Sequence, residues 1–225
     1  MTRPTLLFYC QHSLGMGHLV RSLALAAELA RRCRVVLLNG GPAIPDEGLP
    51  DGVEVVQLPP VGLDEAGQLV SRDHRRGLDR ALALRGRRLL AIFESLHPDV
   101  LLIELFPFGR KKFAGELLSL LDAAQAGRRT TIVCSLRDIL VSGRVNQALH
   151  DERASLTANR YFDAVLVHAD PRFATLEESF RPATPLSIPV HYTGFVVPRR
   201  ALPAPAPRPS RQVLVSVGGG MAGVP

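Results

Sequence analysis

Two hydrophobic rhythms alternate along most of this chain. One is the short, nearly unbroken apolar run, as in Thr5–Cys10, Arg34–Leu38, Val53–Leu58, Pro98–Glu104, Thr130–Cys134, Ala164–Val167 and His191–Thr193. Runs of this length, bounded by Gly, Pro, Asn or Asp, predict buried strands. The other rhythm recurs every three or four residues. Between His18 and Arg32, residues Leu19, Leu23, Ala26, Ala27 and Ala30 share one helical face. Between about Arg72 and Leu96, residues Leu78, Leu82, Leu89, Phe93 and Leu96 form a stripe, with Arg75, Arg76, Arg80, Arg87 and Arg88 mostly off it. That pattern predicts a long amphipathic helix. Further helices are expected over Arg110–Gln125 and about Arg144–Arg160, with a short one near Ala174–Ser179.

Strand–helix alternation with uninterrupted apolar strands predicts an α/β fold, a Rossmann-like parallel sheet with helices on both faces. Such sheets bind ligands beyond the C-terminal ends of their strands. Here those are the loops at Gln11–His18, Asn39–Pro42, Glu104–Gly109 and Ser135–Asp138. The texture changes near Pro198, where residues 198–210 are Pro-rich and predict an extended linker. Gln212–Val217 then reads as a strand feeding Gly218-Gly219-Gly220. One strand cannot bury itself alone. Residues 1–197 are therefore expected to form one domain, and residues 211–225 the first strand of a truncated second α/β domain.

Composition adds constraints. Hydrophobic residues are 46% of the 225 and charged residues 21%, a balance that favours a packed core over disorder. The net charge of +6 comes almost entirely from Arg. No aromatic residues interleave with these arginines as stacking platforms, which argues against a nucleic-acid partner. Cys10, Cys33 and Cys134 are far apart and odd in number, so neither a disulfide framework nor a metal-ligand spacing is present. The start of the chain lacks the apolar stretch of a signal peptide, and no run approaches a membrane span. A cytoplasmic location is expected, with peripheral contact at the inner membrane face left open.

The first loop carries the candidate chemistry. A Gly-rich turn that opens a helix lets backbone N–H groups face an anion. Gly15-Met16-Gly17-His18-Leu19-Val20 fails the dinucleotide fingerprint, because its third glycine is Val20 and the acid expected after strand two is Asn39. It also lacks the Gly-Lys-Ser/Thr of a P-loop and the Gly-x-Ser-x-Gly of a nucleophile elbow. What remains is Gly-x-Gly-His, with His18 in the first helical turn. A helix N-terminus disfavours imidazolium, and a neutral ring beside a hydroxyl can act as general base. Packing or capping is the competing role for His18.

Tyr9-Cys10-Gln11-His12-Ser13-Leu14-Gly15-Met16-Gly17-His18 resembles the first loop of family 28 glycosyltransferases, the family of the enzyme that adds N-acetylglucosamine to lipid-linked muramyl peptide. Leu105-Phe106-Pro107-Phe108-Gly109-Arg110, Ser135-Leu136-Arg137-Asp138 and Val215-Ser216-Val217-Gly218-Gly219-Gly220 look like a related group of bacterial glycosyltransferases. The resemblance implies a GT-B architecture of two Rossmann-like domains. The N-terminal domain would hold a sugar- or lipid-linked acceptor and the C-terminal one a nucleotide-sugar donor. It implies an inverting, metal-independent transfer with no cofactor. This chain would be the acceptor-side half, inactive alone.

By position, His18 maps to the family's Gly-His, but this loop also holds His12, so either is a candidate base. Glu104 is placed to bind an acceptor hydroxyl or orient a histidine, with a surface carboxylate as the alternative. Gly15, Met16, Gly17, Gly218, Gly219 and Gly220 are candidate ligand-facing loop residues. Arg137 and Asp138 either touch a ligand or pair with each other. Arg110, Lys111 and Lys112 read as a solvated helix start that an anionic acceptor would also suit. Two further functions fit the pattern: a non-catalytic carbohydrate or lipid-headgroup module, and a sugar-nucleotide epimerase.

Overall fold

The computed structural model describes residues 3–12, 17–45, 48–137 and 139–198. Gly15, Met16 and Asp138 lie outside the described residues, as do Gly218, Gly219 and Gly220 with the rest of the linker and second-domain segments. The first strand, β1 (Thr5–Cys10), leads to α1 (Gly17–Leu29), β2 (Arg34–Asn39) and β3 (Val53–Gln57). A small hairpin follows, β4 (Val61–Leu63) with β5 (Leu69–Ser71), then α2 (Leu78–Leu96) and β6 (Val100–Glu104). A 3-10 turn at Lys111–Phe113 precedes α3 (Ala114–Gly127), β7 (Thr131–Arg137), α4 (Gln147–Tyr161), β8 (Ala164–His168) and β9 (Val190–Tyr192).

Seven strands form one sheet in the order β3-β2-β1-β6-β7-β8-β9, and every neighbouring pair is parallel. Alternate side chains on each strand enter different cores. Leu7, Tyr9, Val36, Leu38, Leu101 and Ile103 pack with Leu89 and Phe93 of α2, Leu117 and Leu121 of α3 and Ala158 of α4. Leu6, Phe8, Val35, Leu37 and Leu102 face the other way, against Ala26 of α1. Helices therefore cover both faces, α1 on one and α2, α3 and α4 on the other. Two-sided burial is why the strands read as unbroken apolar runs.

Several boundaries differ from the sequence reading. The expected helix from Arg72 begins only at Leu78, because Asp73 binds the Arg75 N–H at 3.0 Å and pairs with Arg76, holding a turn instead. The loop before it contains the β4–β5 hairpin. Strand β7 runs on to Arg137, so Ser135–Arg137 is strand rather than loop. The chain before α3 makes a 3-10 turn at Lys111–Phe113, and the short helix near Ala174–Ser179 is a 3-10 turn at Leu176–Glu178.

Candidate active site

The sheet order reverses direction between β1 and β6. From β1 the chain moves outward through β2 and β3, then crosses back to β6 and moves outward the other way. A crevice forms at such a switch point, beyond the strand ends. Cys10 closes β1 there and Glu104 closes β6. His18 sits in the first turn of α1, which the chain reaches directly from β1.

His18 and Glu104 meet. His18 Nδ1 lies 2.5 Å from Glu104 Oε1, 86 residues apart in sequence. The Glu104 side chain is fully enclosed, while His18 is a quarter exposed. Arg21, one turn along α1, places Nη2 3.0 Å from the same Oε1. Arg110 places Nη2 3.1 Å from Oε2. Burial is the largest influence on Glu104 and pushes its carboxyl up. The hydrogen bond from His18 and the charges of Arg110 and Arg21 act together against it, and the net pKa is lowered from 4.5. An ionised carboxylate only accepts hydrogen bonds, so His18 Nδ1 must donate. In the neutral ring that leaves Nε2 with the lone pair. The arrangement is an imidazole held in one tautomer by a buried anion.

His12 is in a different position. It is only 6% exposed, and a Cβ on Gly41 would lie 2.4 Å from its Nε2. Burial depresses its pKa despite raising contributions from the Pro42 backbone and Asn39. The ring is packed beneath the Asn39–Pro42 loop, without His18's exposure. Gly17 begins α1, and among the described residues a Cβ there would meet nothing within 4 Å. Arg137 ends β7 with an exposed side chain.

A second polar network supports the loop from below. Arg85, on α2, is wholly buried. Its guanidinium donates to Glu116 at 2.6 and 2.9 Å, to the Gly40 and Pro59 carbonyls, to Tyr9 Oη and to Gln11 Oε1. Gln11 Nε2 in turn donates to the His12 and Val61 carbonyls at 3.0 Å. A Cβ on Gly40 would fall 2.2 Å from Gln11 Oε1, so glycine is required for the two loops to meet. Near β7 and β8, His168 Nε2 contacts Ser135 Oγ and Nδ1 contacts Thr193 Oγ1, both at 2.8 Å. Burial lowers His168 from 6.5 to about 4, so it stays neutral.

The sequence offers Glu104 as a residue that could orient a histidine, and the structure pairs it with His18 rather than His12; the sequence does not single out Arg21, Arg85 or Gln11 as parts of the site's framework. Arg21 had a signal: it lies three residues after His18, on the same helical face. Arg85 lay within the α2 stripe, where an arginine gives no sign of what it meets. Burial pushes the Cys10 thiol up to about 12 and Cys134 well above its ordinary value, so neither is a nucleophile at neutral pH. Among the described residues, no group of three or more His, Cys, Asp and Glu side chains converges as a metal site.

No protein-family model and no curated protein matches the sequence. Solved structures do. One is UGT2 of Phytolacca americana, complexed with UDP-2-fluoro-glucose and pterostilbene: TM-score 0.52, 16% identity, covering 87% of this chain and 55% of that one. Another is a UDP-glucosyltransferase from Polygonum tinctorium capable of glucosylating indoxyl, in complex with 3,4-dichloroaniline: TM-score 0.51, 15% identity, covering 93% of this chain and 56% of that one. The matches establish the fold, the Rossmann-like α/β fold of GT-B glycosyltransferases. This chain spans little more than half the length of each.

Proposed function

We propose that this chain is the acceptor-side half of a GT-B-type glycosyltransferase, with His18 as general base and Glu104 as the residue that orients it. The observation that carries this is the 2.5 Å contact between His18 Nδ1 and a fully enclosed Glu104 at the switch point of the sheet. The base would remove the proton from an acceptor hydroxyl as its oxygen attacks the anomeric carbon of a nucleotide sugar, inverting that centre and expelling the diphosphate. The reaction draws on no metal: Gly loops and helix N-termini stabilise the leaving group. The donor would bind to a second α/β domain that begins at residues 211–225, with Gly218, Gly219 and Gly220 as its first phosphate-facing loop. In the first domain Gly15, Met16 and Gly17 would form the facing wall, with Arg137 and Asp138 at its rim. The Gly-x-Gly-His loop and the motifs at 105–110 and 135–138 support kinship with the family 28 type.

The segments that follow β6 and β7 suit an acceptor with apolar and anionic parts. Val141 and Val145 are exposed after β7, and Leu149 is exposed on α4. Lys111 stands after β6; partial burial and the Arg144 and Arg153 cations lower its pKa. A lipid-linked acceptor, or peripheral contact with a membrane, would use both features. Among the described residues, no helix is long and apolar enough to cross a membrane.

The test is product analysis with a panel of nucleotide sugars, using the full-length protein that carries residues 1–225. Glycosylated product with inverted anomeric configuration is expected. Epimerised sugar nucleotide, or binding without turnover by any donor, would replace this reading with an epimerase or a binding module.

A further inference from the structure

The Leu105–Arg110 motif plays no direct part in that chemistry, yet its backbone is unusual at both ends. Leu105 has φ 67° and Arg110 has φ 60°. The left-handed region disfavours a residue with a Cβ. Strain of this kind persists where the surroundings enforce it, and it clusters at functional sites. Here the surroundings are specific. Phe106 and Phe108 are buried, and Phe108 packs edge-on against Phe180 at 5.0 Å. The Gly109 N–H donates to the Leu105 carbonyl at 2.8 Å, and a Cβ at Gly109 would lie 2.8 Å from Leu105 Cδ2. The segment is a tight buckle. Its last residue, Arg110, turns back onto Glu104, the residue that precedes the buckle.

We propose that Arg110 is a positioning residue, delivered by the strained 105–110 buckle to hold Glu104 Oε2, so that Oε1 stays ionised and fixes His18 with Nε2 towards the acceptor. The division of labour is visible in the two oxygens. Oε1 takes His18 Nδ1 and Arg21 Nη2, and Oε2 takes Arg110. The Arg110 side chain is 13% exposed, and among the described residues its buried Nε has no partner. Enclosing a guanidinium with a donor unspent is costly. The cost is offset if the charge is needed at Glu104. The other groups facing Glu104 are His18 and Arg21 from α1, Cys10 from β1, Cys134 from β7 and His168 from β8. The thiols are protonated and His168 is neutral at pH 7, so Arg110 and Arg21 are the guanidinium charges that hold the carboxylate.

This inference rests on the reading of His18 as the base, but its test needs no turnover. In the 225-residue chain, the Glu104 carboxyl carbon is followed by NMR through a pH titration and assigned by its loss in Glu104→Gln. The His18 ring nitrogens are followed in the same samples. Arg110→Met is expected to raise the Glu104 midpoint by about one unit or more, and, by freeing the still-ionised carboxylate to turn away from His18, to erode the Nδ1–H tautomer at neutral pH. Arg110→Lys, which restores the charge, should bring the midpoint back towards wild type. If Arg110→Met does not fold, Arg110→Gln keeps a donor without the charge and carries the same expectation. A folded Met or Gln variant with midpoint and tautomer unchanged would overturn the proposal. So would a lysine variant that titrates like the uncharged one. Absence of sugar transfer would remove the glycosyltransferase reading and leave these shifts to be judged separately.

Discussion

Glu104 and His168 are both enclosed at the C-terminal edge of the sheet. Glu104 is kept ionised against burial by two arginines and a histidine, whereas burial itself keeps His168 neutral, hydrogen-bonded between two hydroxyls. Their linkage to stability has the same sign. Between pH 6.5 and about 4 an unfolded chain protonates His168 while the folded one does not. Glu104 titrates below its ordinary 4.5 when folded, so its contribution is full above that pH and is lost as pH falls through the lowered value. Urea midpoints should therefore fall from pH 7 to 4 and continue falling below. His168→Gln should flatten the upper part of that decline and leave the lower part. At this scale the sequence was legible in part. Gly-x-Gly-His and a carboxylate at a strand end were visible, as was the option that the carboxylate orients a histidine, but which histidine it meets depends on an 86-residue separation that no local pattern records.

At the scale of elements, the strands were the most legible feature, because two-sided burial writes itself as unbroken apolar runs. The β4–β5 hairpin was not, since three-residue strands are too short to show a period. Ser135 is polar and so read as loop, although it is a buried strand residue that faces His168. Arg85 shows the same limit more sharply. It ties α2 to the Gly40 and Pro59 carbonyls, to Gln11 beyond β1 and to Glu116 of α3. Burial opposes its charge most strongly, but the Glu116 bond and its neighbours outweigh that and hold its pKa above the ordinary value. Arg85→Met leaves Glu116 enclosed with the Tyr9 hydroxyl but without its charged partner, and breaking a buried pair costs about 3–5 kcal/mol. Chemical denaturation of the variant should show a loss of that order. A loss under 1 kcal/mol would mean that Arg85 does not brace the loops.

Over the whole molecule, the parallel order β3-β2-β1-β6-β7-β8-β9 does the work of assembly. It brings the ends of β1 and β6 side by side, and with them His18 and Glu104, while the helices exclude water from the strands beneath. The fold class follows from rhythm alone, whereas the second domain rests on residues beyond those described. This chain aligns with little more than half of each matched structure, and the binding of acceptor and donor to different domains belongs to the proposal. The most direct test of the central claim is the rate of sugar transfer by the His18→Ala variant, measured against wild type in the full-length protein that carries residues 1–225. A fall of at least about 10² is expected for loss of a general base. His12→Ala should fall far less. Turnover unchanged in His18→Ala would contradict the account.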